Sequence, residues 1–193
     1  MTELEKPGAG IPKIERVFLN AGIKTMSVFM SDRRALKFFK NEARMLTDIW
    51  NNGGSYDAFK PILISRMIGI EDSSRNWSVA MVLEHLVIVN KELKVGIDSL
   101  SKGKVPSDDV DTALYKPKYD LDEKIHDVFV ATNNDYVETV ESNLDTNEKL
   151  PLNPTCEHPW FGELNAHQWG ILAAIHMRIH RRQVLRIIAM LTS

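Results

Sequence analysis

The chain has 193 residues, of which 44% are hydrophobic and 26% charged, values that are ordinary for a soluble globular protein with one substantial core. The formal net charge of −2 gives no global electrostatic basis for binding nucleic acid. No apolar run approaches the roughly 18 residues of a membrane span, and the first residues do not resemble a signal peptide. The single cysteine, Cys156, excludes an internal disulfide. We therefore expect a cytoplasmic protein with no nucleic-acid or membrane partner.

Four long segments show the hydrophobic spacing of amphipathic helices. In the first, Leu36, Phe39 and Leu46 lie three or seven residues apart on one predicted face. The second is apolar on nearly all sides, which predicts the most buried helix. The predicted helices cover residues 31–51, 75–101, 120–146 and 166–191.

The remaining segments are predicted to be irregular. Residues 1–12 contain two glycines and two prolines and are expected to form a loose arm, followed by a short helix near 13–22. Residues 52–74 are an apolar linker that should pack over the helices, and residues 147–164 are a Pro-rich loop of a kind that often borders functional sites. Because no segment alternates like a strand, the sequence predicts an all-α four-helix bundle, with residues 1–193 forming a single domain.

Capping residues and charge refine the third and fourth predicted helices. Asp120 is a candidate N-cap of the third, and Asn165 with Gln168 forms a candidate capping box at the start of the fourth. Acidic residues concentrate in 107–148, which predicts two neighbouring helices with oppositely charged solvated faces. A basic patch for a phosphate-bearing ligand is the alternative interpretation. The basic residues concerned are Arg178, Arg181, Arg182 and Arg186.

Three histidines fall on the apolar faces of the predicted helices. His176 and His180 are four residues apart, which places both side chains on one helix face, and His85 lies about ninety residues earlier in the second helix. Three imidazoles can bind one metal ion and leave a fourth position open. The alternative is that these are core histidines with purely structural hydrogen bonds. Three converging imidazoles would satisfy one another poorly unless a metal ion bridged them.

Other catalytic patterns fit the chain less well. A ferritin-like di-iron site needs two E-x-x-H motifs, whereas only Glu123 and His126 match, once, on an acid-rich face. Cys156 lies near His158, but the acidic residue between them disfavours a thiolate. No phosphate-binding or dinucleotide-binding glycine loop is present. The histidine triad is therefore the main candidate site.

The motifs of the C-terminal third resemble those of a known family. The chain resembles the DinB-like superfamily of metal-dependent four-helix bundles, in particular a poorly characterised branch with an HPxFG-type segment and a terminal H-x3-H-x2-Q. The second helix, NWSVAMVLEHL, matches the family's Trp-Ser start and its histidine. The branch often has two consecutive histidines where this chain has Ile179 and His180. The matching residues are His158-Pro159-Trp160-Phe161-Gly162, Gln168-Trp169-Gly170, His176, His180 and Gln183.

The resemblance implies a function as well as a fold. It implies that His85, His176 and His180 hold a divalent metal ion, with zinc or nickel expected. Some relatives resemble transferases that join a low-molecular-weight thiol to an electrophile through a metal-bound thiolate. Gln183 and the 158–162 loop should then support the site rather than ligate the metal. A homodimer is a further expectation. The alternative function is a non-catalytic, stress-related or partner-binding bundle whose histidines are structural.

Overall fold

Helices dominate the computed structural model, which describes residues 4–52, 54, 56–106 and 112–193. Two short antiparallel ribbons are the only strands in these ranges: β1 (Ile62–Leu63) pairs with β2 (Asn76–Trp77), and β3 (Thr155–His158) with β4 (Gly162–Asn165). The predicted all-α class is therefore confirmed. Across the described ranges, no helix has both the length and the apolar character needed to cross a membrane. The helices are α1 (Lys13–Phe29), α2 (Asp32–Asn52), α3 (Val79–Ser101), α4 (Lys124–Asn147) and α5 (Ala166–Leu191).

The four longest helices share the main hydrophobic core. α3 packs against α4 and α5, and α2 packs against the same two helices. Phe39 of α2 and Tyr136 of α4 are both buried, with ring centroids 4.2 Å apart. The first turns of α3 are buried on nearly all sides, as its uniformly apolar sequence predicts.

The beginnings of α5 and α3 show how capping residues set helix boundaries. At α5 the predicted capping box is confirmed, because Asn165 accepts a hydrogen bond from the Gln168 backbone and the Gln168 side chain accepts one from the Asn165 backbone. α3 begins at Val79, later than predicted, because Ser78 Oγ accepts a hydrogen bond from the Met81 backbone N–H at 3.1 Å. The residues before it form a 3₁₀ turn at 72–74 and then β2.

The prediction that Asp120 caps α4 is wrong. α4 begins at Lys124, and the Asp122 carboxylate accepts a hydrogen bond from the Lys124 backbone N–H at 2.9 Å. Glu123 occupies the N-cap position without a side-chain cap hydrogen bond, and Asp122 satisfies one free amide of the first turn from just outside the helix.

The sequence predicted a first helix that is too short and did not predict the strands. α1 extends to Phe29 rather than ending near residue 22, and it buries Ile23 while leaving Ile14 and Phe18 mostly exposed. Apolar residues on both faces conceal the helical periodicity. The strands were not predicted at all, because segments of two to four residues are too short for alternation to be recognised.

The predicted loose arm is anchored over the part that the structure describes. We call residues 4–12 the N-terminal strap. The backbone N–H of Gly10 donates to the Glu71 carboxylate at 2.8 Å, and Ile11 is only 2% exposed. Arg16 Nε donates to the Ile11 carbonyl at 2.8 Å. A buried apolar anchor and two hydrogen bonds outweigh the flexibility that the glycines suggest.

The apolar linker after α2 packs on the core, as predicted. Ile64 and Ile70 are both fully buried. The β1–β2 ribbon then joins this linker to the chain just before α3, with Ile62 opposite Trp77. This places residues 70–77 beside the first turns of α3.

The arginines of α5 face α2 rather than the acidic helix α4. Arg181 Nε lies 2.5 Å from the Glu42 carboxylate, and Arg178 Nε lies 4.0 Å from the same group. Glu42 is only 3% exposed. Two of the four arginines, Arg178 and Arg181, therefore pair with one buried carboxylate of α2 and not with the acidic residues of α4.

A buried histidine–aspartate pair fastens the start of α5 to the start of α2. His167 Nδ1 lies 2.5 Å from Asp32 Oδ1, and His167 Nε2 lies 3.1 Å from the Ser27 carbonyl. Asp32 also accepts a hydrogen bond from the Leu150 backbone at 3.2 Å. The hydrogen bond to Asp32 raises the pKa of His167 above its usual value. The sequence patterns did not single out this pair.

We predict that His167→Gln lowers the free energy of unfolding by about 1–3 kcal/mol at pH 6, the range for a buried hydrogen bond to a charged group. Because the folded pKa of His167 is raised, its contribution is fully present below the unfolded pKa of about 6.5 and is lost as pH rises through the folded pKa. Urea unfolding at pH 6 and pH 9 should therefore show a smaller loss at pH 9. A double-mutant cycle with Asp32→Asn measures the coupling, and zero coupling would contradict the interaction.

Candidate metal centre

The structure brings His85 of α3 together with His176 and His180 of α5. One ring nitrogen from each histidine lies within 4.8 Å of the others. The Nε2 atoms of His85 and His176 are 3.2 Å apart, and the ring centroids of His176 and His180 are 4.4 Å apart. The i, i+4 spacing in α5 produces the second contact, and the packing of α3 on α5 produces the first.

The proton position on His180 follows from a chain of hydrogen bonds through Gln183. Gln183 Nε2 donates to the Ser74 carbonyl at 2.7 Å, which orients the amide so that its oxygen lies 2.8 Å from His180 Nδ1. An amide oxygen only accepts, so Nδ1 of His180 carries the hydrogen. The lone pair of neutral His180 is therefore on Nε2, as a metal ligand requires.

His85 is held in the same tautomer by a different acceptor. Its Nδ1 lies 2.6 Å from the backbone carbonyl of Tyr115, the last residue of a 3₁₀ turn at 112–115. A carbonyl only accepts, so His85 donates from Nδ1 and carries its lone pair on Nε2. Two of the three imidazoles thus present Nε2 lone pairs within the cluster.

His176 is the least satisfied member of the cluster. Its Nδ1 is buried and has no hydrogen-bond partner among the residues that the structure describes. Its Nε2 lies 3.2 Å from His85 Nε2, which can only accept, so His176 donates from Nε2 and the lone pair on its Nδ1 is left without a partner. A buried polar nitrogen without a partner costs free energy, so this position is one where a bound group would improve the hydrogen-bond and charge balance.

All three imidazoles are held in the neutral form. Burial lowers the pKa of His85 to about 4. Burial also brings the pKa values of His176 and His180 well below the usual value, and the neighbouring histidines lower them further. Metal ions bind only neutral imidazole, so the site is ready to bind metal throughout the physiological pH range.

A lysine–glutamate pair lies beside the histidines. The Lys116 ammonium contacts the Glu71 carboxylate and lies 3.0 Å from Ser74 Oγ and 5.6 Å from the Trp77 ring centroid. Its positive charge contributes, after burial, to the low pKa of His85. Sequence analysis missed this pair because Lys116 lies outside any periodic element. The only available signal was its position in a short segment between two predicted helices.

A cavity of about 230 Å³ opens from the triad between α3, α5 and α1. His158 lines this cavity and belongs to the motif segment, yet it does not join the three-histidine cluster. Its Nδ1 accepts a hydrogen bond from the Trp160 backbone N–H at 3.0 Å, and its ring stacks on Phe161 at 4.6 Å. Burial lowers the pKa of His158 to about 4. His158 therefore holds the β3–β4 turn through a backbone contact, as the sequence predicts.

Two other candidate groups do not form catalytic sites. His126 stacks on Trp50 with ring centroids 5.5 Å apart, so it belongs to the contact between α4 and α2 and not to a metal cluster. Cys156 lines the cavity, but burial raises the pKa of its thiol. A raised pKa disfavours the thiolate that a nucleophilic cysteine needs.

Comparisons with protein-family models, with curated proteins and with solved structures find no match for this chain. The DinB-like resemblance read from its motifs accordingly stays a prediction. The function is inferred from the geometry and chemistry of the histidine site.

We predict that the metal-free protein loses stability as pH falls from 7 to 4.5. Below the unfolded histidine pKa of about 6.5 the unfolded chain binds protons that the buried, neutral triad does not, so protonation favours unfolding until the folded pKa is reached. His176→Leu removes one such group and should reduce the slope of unfolding free energy against pH, measured by urea unfolding. Equal slopes in the two proteins would show that His176 is not held neutral by burial.

Proposed function

We propose that this chain is a metal-dependent enzyme with a DinB-like four-helix-bundle fold. In this proposal His85, His176 and His180 hold one divalent ion, zinc or nickel, in the cytoplasm. The observation that carries the proposal is the pair of fixed tautomers, with His180 oriented by Gln183 and His85 by the Tyr115 carbonyl. Outer hydrogen bonds of this kind are typical of metal-binding histidines.

The donor set fits a catalytic rather than a structural ion. Three neutral nitrogen ligands leave a tetrahedral ion with one position for water or substrate, whereas structural zinc sites have four protein ligands. Imidazole nitrogens suit zinc and nickel better than magnesium or calcium, which prefer oxygen.

We infer that the reaction is transfer of a low-molecular-weight thiol to an electrophile. When bound, a divalent ion supplies the positive charge that favours the thiolate form of such a thiol. Lys116 adds positive charge on the same side, and Glu71 fixes its position. In the overall reaction the thiol gives its proton to solvent, a sulfur–carbon bond forms, and the leaving group departs with its bonding electrons. The apolar cavity wall keeps water from competing.

A non-catalytic bundle with structural histidines is the second candidate. It is favoured by the 3.2 Å contact between His85 and His176 and by the stacking of Trp77 on His180, at 6.2 Å between ring centroids. These contacts can hold the three rings together without an ion. The two candidates differ in metal content, which is directly measurable.

We predict that the purified protein binds one zinc or nickel ion per chain and that the ion raises Tm, because it binds the folded arrangement and barely the unfolded chain. His176→Ala should abolish both effects. His158→Ala is the matched control, since it removes a cavity imidazole outside the cluster and should lower stability while keeping the metal. Because the pKa of His85 is about 4, binding should persist at pH 5.5. Elemental analysis showing no stoichiometric metal in the native protein would favour the structural alternative.

We predict that the zinc- or nickel-loaded protein accelerates thioether formation between a low-molecular-weight thiol and a chlorodinitrobenzene, followed by absorbance and by chloride release. Lys116→Met should reduce the rate by about tenfold or more, because it removes the positive charge beside the developing thiolate. The control is Lys94→Met, which removes an ammonium paired with Asp135 on the far surface of α3 and α4. Metal binding without rate enhancement for any of several thiols would contradict the transferase proposal.

A further inference from the structure

The cavity beside the triad is elongated along α3. Seven residues of this helix line the cavity. Five of them are three or four residues apart along one helix face, namely His85, Val89, Leu93, Gly96 and Leu100, and the other two, Glu92 and Val95, are exposed. At 1.5 Å per residue this row spans about 22 Å from the histidine end to the far end. The cavity is therefore a channel that leads away from the triad.

The opposite wall is also apolar and belongs to a separate hydrophobic cluster. This cluster is distinct from the main core and has four buried members, of which Ile23 of α1, Phe161 of the β3–β4 turn and Leu172 of α5 face the cavity and Leu164 of β4 does not line it. The channel thus lies between the main core, on the α3 side, and this second cluster.

Polar lining groups are concentrated at one end. Glu71, Ser74 and Lys116 contact one another there, and Lys116 acts on the charge state of His85. Along the α3 row beyond His85, the charged lining residue is Glu92, whose side chain is exposed. The end of a bound ligand next to the histidines, its head, therefore contacts polar and charged groups. The rest of the ligand, its body, contacts mainly apolar side chains.

The volume indicates the size of that body. An engineered apolar cavity of about 150 Å³ stays dry and binds benzene. The channel here, at about 230 Å³, exceeds the space needed for one aromatic ring. Its length favours an extended chain over a compact ring system.

We propose that the electrophilic substrate carries an unbranched alkyl chain of about eight carbon atoms or more, which lies in this channel with the reactive head at the histidines. The electrophilic nature of the substrate's head group rests on the proposed function. The binding of its alkyl chain depends only on the channel. Chain length is then the main determinant of substrate affinity, since each buried methylene contributes about threefold to fourfold in affinity.

Straight-chain primary alcohols from butanol to decanol test this on the metal-free protein, with binding followed by calorimetry and by the fluorescence of Trp160 and Trp169, which line the cavity. Affinity should rise about tenfold for every two added methylenes. Equal affinity for butanol and decanol would overturn the proposal. Because no metal is present, this result is independent of the metal-binding experiment, and either proposal can fail while the other stands.

Two matched glycine variants locate the chain. Gly96 lines the channel, and a Cβ atom added there meets nothing within 4 Å. A Cβ atom added at Gly22 of α1 also meets nothing within 4 Å, and Gly22 does not line the channel. Gly96→Phe should weaken decanol binding at least tenfold, whereas Gly22→Phe should bind decanol like the wild type. Unchanged decanol binding in a folded Gly96→Phe variant would overturn the proposal. If Gly96→Phe does not fold, the alcohol series on the wild type decides.

Discussion

The buried amide of Gln183 joins α5 to the segment before α3. It is fully buried, donates to the Ser74 carbonyl before α3 and accepts from His180 within α5. Because the Ser74 carbonyl can only accept, the amide has one favourable orientation, and that orientation fixes the tautomer of His180. The ligand geometry therefore depends on the β1–β2 ribbon and the 3₁₀ turn that hold Ser74 in place. Neither element contains a histidine, yet both determine what the histidines can bind.

Burying three imidazoles inside a bundle costs free energy because their ring nitrogens lose hydrogen bonds to water. Hydrogen bonds to protein groups offset part of that free energy. His85 and His180 each have a fixed acceptor for Nδ1, whereas His176 has none among the described residues. Two of the three imidazoles thus have a hydrogen bond that fixes their orientation, and the third does not. Each unsatisfied buried group costs roughly 1–3 kcal/mol, and the described residues contain others, among them Asn90 Oδ1 and Asn133 Nδ2. The asymmetry therefore distinguishes His176 from the other two imidazoles without identifying a ligand.

The sequence predicted the helices that carry the histidines and the shared face of His176 and His180, because apolar periodicity and i, i+4 spacing are local signals. The approach of His85, which lies 91 residues before His176, was expected from its inward-facing position and from the family resemblance. Asn165 and Gln168 marked the start of α5 for the same reason. Lys116 and the pair of Asp32 with His167 could not be predicted, since their partners lie 45 and 135 residues away in sequence and no local pattern records such contacts. The N-terminal strap was misjudged because its glycines indicate flexibility, whereas its order comes from Glu71, far along the chain.

The separation of the histidines along the chain has a consequence for biosynthesis. His85 and His176 are 91 residues apart, and α5 contributes two of the three imidazoles together with Gln183. While α5 is still within the ribosome, the emerging chain offers a single triad imidazole, which cannot hold an ion tightly. In the proposed metal enzyme, the ion would therefore bind only after α5 is released and docks on α3. The ion acquired would then depend on the metals free in the compartment where folding is completed.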